Sequence, residues 1–183
     1  VARLATADGR RDYLVAGGLL ASAVAAALAL LLWTGCSHQS AHASDTLFLL
    51  DGGWRLLNGQ RPHTDYYSAL GVVPFLVIRM GMAITGPNAS ALMAGYAVLL
   101  PLAVVAGWLL AKPRLSAAAT LGFASLVGFL LVATRALGMS FRETSYAMQY
   151  NRLGWALFCL AALPLFLPRR QSASRIVCLL EGA

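Results

Sequence analysis

The side chains able to do chemistry in this 183-residue chain crowd into two short polar stretches. The first is SDTLFLLDGGWRLLNGQRPHTDYYSALG, Ser44 to Gly71; the second is RALGMSFRETSYAMQYNRLGW, Arg135 to Trp155. Ser44 can cap a helix opening at Asp45, because a hydroxyl there accepts a bond from an otherwise unpaired amide. Gly59, after Asn58, supplies a stop. At about 100° per residue, Leu47, Leu50, Trp54 and Leu57 fall within roughly an 80° arc. That stripe suits either the membrane surface or the rest of a helical bundle. Asp51 and Arg55, four apart, are expected to pair with each other. Asp45 projects almost opposite the stripe, at the helix's positive end, where a carboxylate is favoured. An acid so placed can act as a general base toward a hydroxyl, or hold a divalent cation that grips a phosphate. The plain alternative is that Asp45 decorates a helix start.

Beyond a turn at Pro62 come His63, Asp65, Tyr66 and Tyr67. A histidine and an aspartate two apart can share a proton or a metal, yet two residues alone make no site. The competing reading is anchoring, since tyrosines favour the membrane edge. His38 and His42 resemble a metal pair only in their spacing. In the second stretch Arg142, Glu143, Tyr146, Gln149, Tyr150, Asn151 and Arg152 follow closely. Arginines just outside a bilayer can hold a lipid phosphate or pyrophosphate by bidentate contacts; the alternative is a basic and aromatic girdle. The chain carries no HExxH, CxxC, Walker or GxGxxG signature, and Cys36, Cys159 and Cys178 have neither disulfide-framework nor metal-site spacing.

The elements that position these residues are greasy. The chain is 59% hydrophobic and 11% charged, with a mean hydropathy of +0.70. A soluble domain of this size has too much surface to stay so poor in charge. Four stretches read as membrane spans: 13–33, 88–111, 115–134 and 153–168. The net charge of +7 does not point to nucleic acid, because the basic residues cluster at the ends of apolar runs. With four spans and a cytoplasmic N-terminus, Arg3, Arg10, Arg11, Lys112, Arg114 and the arginines of tail 169–183 gather inside. A fifth span at 69–85 would put the AKPR turn and the PRR tail outside. It would also bury Arg79 at a cost of roughly 2.5–3.5 kcal/mol. Residues 69–85 are therefore expected to form an interfacial or re-entrant helix on the outer face.

The expected fold is all-α, a polytopic membrane helical bundle over residues 1–183 in one domain. Outer loop 35–87 holds helices at about 45–58 and 69–85, and a second outer loop covers 135–152. Arg10, Arg11 and the later WTGC mimic a lipidated secretory signal. However, Trp33 stands where a small aliphatic residue belongs, and the apolar run exceeds the ~7–15 residues of a cleavable core. The first span is expected to stay. The NAS triplet at Asn88 fits a glycosylation pattern by chance beside a span.

This layout resembles the membrane glycosyltransferases of the GT-C class, such as protein mannosyltransferases and aminoarabinose transferases. The resemblance rests on a first span, then Asp45 opening an amphipathic helix, then GGWRLLNGQRPHTDYYSALG and GPNASALMAGY in that order. It covers roughly residues 12–135 and implies a bacterial inner-membrane protein using a polyprenyl-phosphate-linked sugar. Carried over, Asp45 would be the catalytic base and Asp65 the second acid of the loop. His63, Arg142, Arg152 and Tyr150 would be donor or acceptor contacts. Asp45 is followed by Thr46 instead of a second acid, YYSALG replaces a proline-rich run, and the family has about a dozen spans. The chain is thus expected to be an N-terminal part or a reduced homologue of such an enzyme.

The alternative is a non-catalytic membrane subunit that packs with a partner. Gly17, Gly18, Ala21 and Ala25 in the first span, and Gly122 and Gly128 in the third, allow close helix approach. A transporter is disfavoured, since the spans carry no acid or base for an ion relay.

Overall fold

The computed structural model describes residues 7–34, 43–133 and 148–168. Six helices account for most of them: α1 (Ala7–Thr34), α2 (Ala43–Leu57), α3 (Val72–Thr85), α4 (Ser90–Ala111), α5 (Ala117–Val132) and α6 (Gln149–Phe166). No strand occurs among the described residues, only an isolated bridge between Pro62 and Tyr66. The all-α expectation holds. Two helices, over Gly9–Leu32 and Ser90–Ala111, are long and apolar enough to cross a bilayer. The helices at the other two expected spans do not reach that mark: α5 has only 16 residues, and α6, with 18, opens on the polar run Gln149 to Arg152.

Several boundaries move. The first helix starts at Ala7, not residue 13, so Arg10, Arg11 and Asp12 ride on its first turns. The second starts at Ala43, which puts Ser44 inside it and not at its cap. The third covers 72–85 of the expected 69–85 and has 14 residues, about 21 Å at 1.5 Å per residue. Its end follows from Gly86 at φ 80°, whose amide donates to the Met82 carbonyl.

The four longest apolar elements run between two common ends. At one end the Tyr13 hydroxyl of α1 donates to the Leu115 carbonyl at 2.6 Å, and the Arg114 Nε donates to the Leu167 carbonyl beyond α6 at 2.8 Å. Arg114 also donates to the Leu110 carbonyl at 2.7 Å, so one guanidinium serves the exposed carbonyls of two helix ends. At the other end the Gln149 amide on α6 reaches the Leu131 carbonyl of α5 at 2.6 Å. The chain therefore runs away from the Lys112 end in α1 and α5 and back toward it in α4 and α6.

The tightest packing joins α3 to α4. A Cβ placed on Gly81 would collide with the Ala91 carbonyl, and one on Gly95 would collide with the Val77 carbonyl. Backbone meets backbone in both directions, as small residues at four-residue spacing (Ala91 and Gly95) permit. Around that seam Phe75, Ile78, Met82, Leu92 and Tyr96 are buried with Leu31, Leu49, Leu131 and Leu153. A second cluster joins Leu20 of α1 to Leu100, Val104 and Ala124. Arg79 stays exposed on the far side of α3.

Helix α2 lies on α3 by the same device: Gly52 faces the Phe75 ring and Gly53 the Ile78 side chain. Its buried face is Thr46, Leu49, Gly52, Gly53 and Leu56. Of the stripe Leu47, Leu50, Trp54 and Leu57, three members are exposed, while Leu50 is partly buried against the core, so the stripe divides between its two sequence readings. The glycines that let α2 approach α3 closely lie on another side of the helix.

Large apolar side chains also cover the outside of the bundle. Leu14, Leu19, Leu30, Leu102, Leu109, Phe129, Trp155 and Leu165 are all exposed.

Gly81→Val and Gly95→Val should each separate α3 from α4 and lower the midpoint of thermal unfolding. Overpacking of this kind costs about 1–3 kcal/mol. Gly122→Val should be close to neutral, because nothing lies within 4 Å of its added carbon. Equal effects of all three in a detergent-solubilised melt would contradict the seam.

Candidate functional site

The polar groups collect at the end of the bundle away from Lys112. Asp45 sits in the first turn of α2, and its Oδ2 accepts a hydrogen bond from the Met148 amide at 3.2 Å. Met148 is the N-cap residue of α6 and holds a left-handed backbone at φ 58°. The acid thus faces the positive start of a second helix besides its own. The sequence, which shows no local partner for Asp45, could not reveal this one, 103 positions away.

Arg152 stands one turn beyond Met148 on α6 and donates to the Gln149 side-chain carbonyl at 3.2 Å. Gln149 is fully buried; its amide spans to Leu131, while its oxygen holds the guanidinium. The buried Tyr96 of α4 acts electrostatically on Arg152. Asp45, the Met148 amide, Gln149, Arg152 and Tyr96 thereby join α2, α4 and α6 at one end. Gln149 and Tyr96 were not expected as site residues; their signal was a polar group beside or within an apolar run.

The other expected residues have local employment. The Tyr150 hydroxyl contacts the Met148 sulfur at 3.3 Å. Asp65 closes its own turn: its Oδ2 accepts from the Arg61 amide at 2.7 Å, and its amide donates to the Arg61 carbonyl at 2.9 Å. His63, at φ 65°, donates its amide to the Tyr66 carbonyl at 2.9 Å. This turn follows the far end of α2, whose axis carries it ~18 Å from Asp45 at 1.5 Å per residue. Asp65 and His63 do not converge with Asp45. Arg142 lies outside the described residues, as do His38 and His42.

The turn is pinned to α2 through Arg55. Its Nε meets Asp51 Oδ2 at 2.7 Å, the expected pair, and its guanidinium lies 5.0 Å from the Tyr66 ring centroid. Gly59, at φ 82°, ends α2 as expected. Its amide donates to the Leu56 carbonyl and the Gln60 amide to the Arg55 carbonyl, at 3.2 and 3.0 Å, which is the Schellman arrangement. Burial pushes the Tyr66 phenol above its ordinary 10.0; Arg55 opposes that shift and Asp51 adds to it. At the NAS triplet, Asn88 donates to the Thr85 carbonyl at 2.6 Å and accepts from the Ser90 amide at 2.8 Å. Its side chain closes the α3–α4 turn.

No group of three His, Cys, Asp or Glu side chains able to hold a metal forms among the described residues. A divalent cation at Asp45 would have to draw its remaining ligands from elsewhere, from substrate phosphate or water. The arrangement itself offers a half-buried carboxylate that accepts a backbone amide at the start of α6, with Arg152 one turn further along that helix. It can accept a proton at one end of a bound molecule and hold an anion at the other.

Gln149→Leu should destabilise the protein by about 1–3 kcal/mol, because it strips a bond from a buried carbonyl at the end of α5; Tyr150→Phe should be near neutral in the same melt. For Tyr66, a folded-state pKa above the unfolded one gives stability that is present below pH 10.0 and lost as the pH climbs through the folded value. The Tyr66→Phe variant should lack that alkaline loss, read as a smaller drop in melting midpoint between neutral and alkaline buffer.

No family model, curated protein or solved structure matches this chain.

Proposed function

We propose that this chain is a multi-pass protein of the bacterial inner membrane with a glycosyl-transfer site at its outer end. In this reading α1, α4, α5 and α6 cross the bilayer, α2 and α3 lie at the outer face, and the donor is a polyprenyl-phosphate-linked sugar. The membrane part is supported by the two long apolar helices, the apolar exterior and the gathering of Arg10, Arg11, Lys112 and Arg114 at one end. The observation that carries the catalytic part is the bond from the Met148 amide to Asp45. It brings the first outer loop's acid to the start of α6, one turn from Arg152.

Chemically, Asp45 takes the proton of an acceptor hydroxyl as that oxygen bonds to the sugar's anomeric carbon. The bond from that carbon to the phosphate oxygen breaks, and polyprenyl phosphate leaves. Arg152 stabilises the charge that develops on the departing phosphate. The Met148 amide orients the carboxylate through Oδ2, which leaves Oδ1 to accept the proton. Asp65 keeps its place in the loop turn and takes no part in the transfer. A second reading, a non-catalytic subunit, draws on Gly18 and Gly122, which have open space where a side chain would stand and so offer close-packing faces to another helix.

Membranes containing the chain, supplied with polyprenyl-phosphate sugar and a cell-envelope acceptor fraction, should transfer sugar. Asp45→Asn keeps an acceptor oxygen for Met148 but loses the base, so transfer should fall at least ~100-fold with expression and melting midpoint unchanged. Transfer unaffected by this variant would remove Asp45 from catalysis. Absence of transfer together with stable co-purification of another membrane protein would favour the subunit.

A further inference from the structure

Helices α1 and α4 diverge enough to leave an apolar groove of about 400 Å³ along their outer surface. Gly17, Ala21 and Ala25 are among its α1 lining residues, and Pro101, Val105 and Trp108 among its α4 ones. That volume lies within the ~300–1,000 Å³ typical of small-molecule sites. Small side chains on α1 and the proline on α4 keep the groove from filling itself.

Its end toward Lys112 is built differently. The Tyr13 and Trp108 rings meet edge to face with centroids 6.1 Å apart, and the Lys112 ammonium lies 5.8 Å from the Tyr13 ring centroid. Lys112 follows Trp108 by one turn on α4. Arg10 precedes Gly17 by two turns on α1, which returns it to the same face of that helix. Both cations are exposed. Asp12 projects some 140° away from Gly17 around α1, toward α5, where it lines a different cleft with Arg11 and Ser116. Arg114 is turned to the carbonyls of Leu110 and Leu167. Among the described side chains, the groove thus ends between two cations with no acid on its own face.

We propose that this groove binds one anionic phospholipid of the surrounding bilayer, an acyl chain lying between α1 and α4 and the headgroup phosphate between Arg10 and Lys112. Basic pockets between membrane helices on the cytoplasmic side hold anionic headgroups in this way, and the Tyr13–Trp108 pair sits at the depth where amphipathic rings meet the headgroups. An apolar partner helix would match the groove's walls but leave both cations without a counter-charge. The proposal rests on the membrane reading above and not on the glycosyl-transfer one.

The test uses the purified full chain in mild detergent with equal amounts of phosphatidylglycerol and phosphatidylcholine of identical acyl chains. Native mass spectrometry reads the lipid retained. Phosphatidylglycerol should be retained in several-fold excess, and that excess should fall roughly fivefold for each cation removed in Arg10→Gln and Lys112→Gln. Ala21→Phe, which fills the groove and leaves both cations, should reduce retention of both lipids. Equal retention of the two lipids, or a preference that survives the double substitution, would overturn the proposal. So would a dimer, free of lipid, that Ala21→Phe dissociates. Extraction of the chain from membranes by alkaline carbonate would instead bring down the membrane reading itself; resistance to extraction with no lipid preference would sink the lipid site alone.

Discussion

Direct backbone contact between α3 and α4 is the constraint on which the outer end depends. Gly81 and Gly95 each face a main-chain carbonyl of the other helix, so neither position accepts any side chain without moving a whole element. The approach lets Phe75, Ile78 and Met82 reach the same interior as Leu92 and Tyr96. In a membrane, where lipid is as apolar as leucine, such close packing supplies the association that the hydrophobic effect supplies in water. Helix α2 then seats on α3 through Gly52 and Gly53, and Asp45 arrives at the start of α6 as a consequence. Close packing of three helices through glycines thus decides where the acid stands.

The second recurring device is the satisfaction of helix ends by distant side chains. Arg114 serves the carbonyl ends of α4 and α6, Tyr13 the turn after α4, Gln149 the end of α5, and Asp45 the amide start of α6. Each removes an orphan backbone group that is costly wherever water is scarce. The same bonds fix which helix ends lie together. They make the bundle's two ends chemically different: one basic, with Tyr13 and Trp108 beneath the cations, the other holding the carboxylate, the guanidinium and the buried amide.

Local features were legible from the residues alone. The Asp51–Arg55 pair, the glycine stop at Gly59 and a separate helix ending at Thr85 all follow from spacing within a few positions, where chain geometry leaves little choice. The register of α2 was not legible, because its buried face owes its fit to two glycines, which carry no hydrophobic signal; the visible leucine and tryptophan stripe points elsewhere. The early start of α1 escaped for a related reason, since Arg10, Arg11 and Asp12 break the apolar pattern without breaking the helix. Asp65 and His63 looked like partners for Asp45 because they share a loop, yet a rigid helix stands between them. The contacts that assemble the site cross the chain, from α2 to α6 and from α5 to α6, and no local pattern announces them.

The central claim is that the bundle's two ends face opposite sides of a membrane, with the Asp45 end outside. It can be tested by placing single cysteines at exposed Thr64 and at exposed Ala118 in a chain whose own cysteines are serine, then labelling intact cells with a membrane-impermeant maleimide. The account predicts that Thr64→Cys reacts in intact cells, whereas Ala118→Cys reacts only after the cells are opened. Reaction of both from the same side would contradict it.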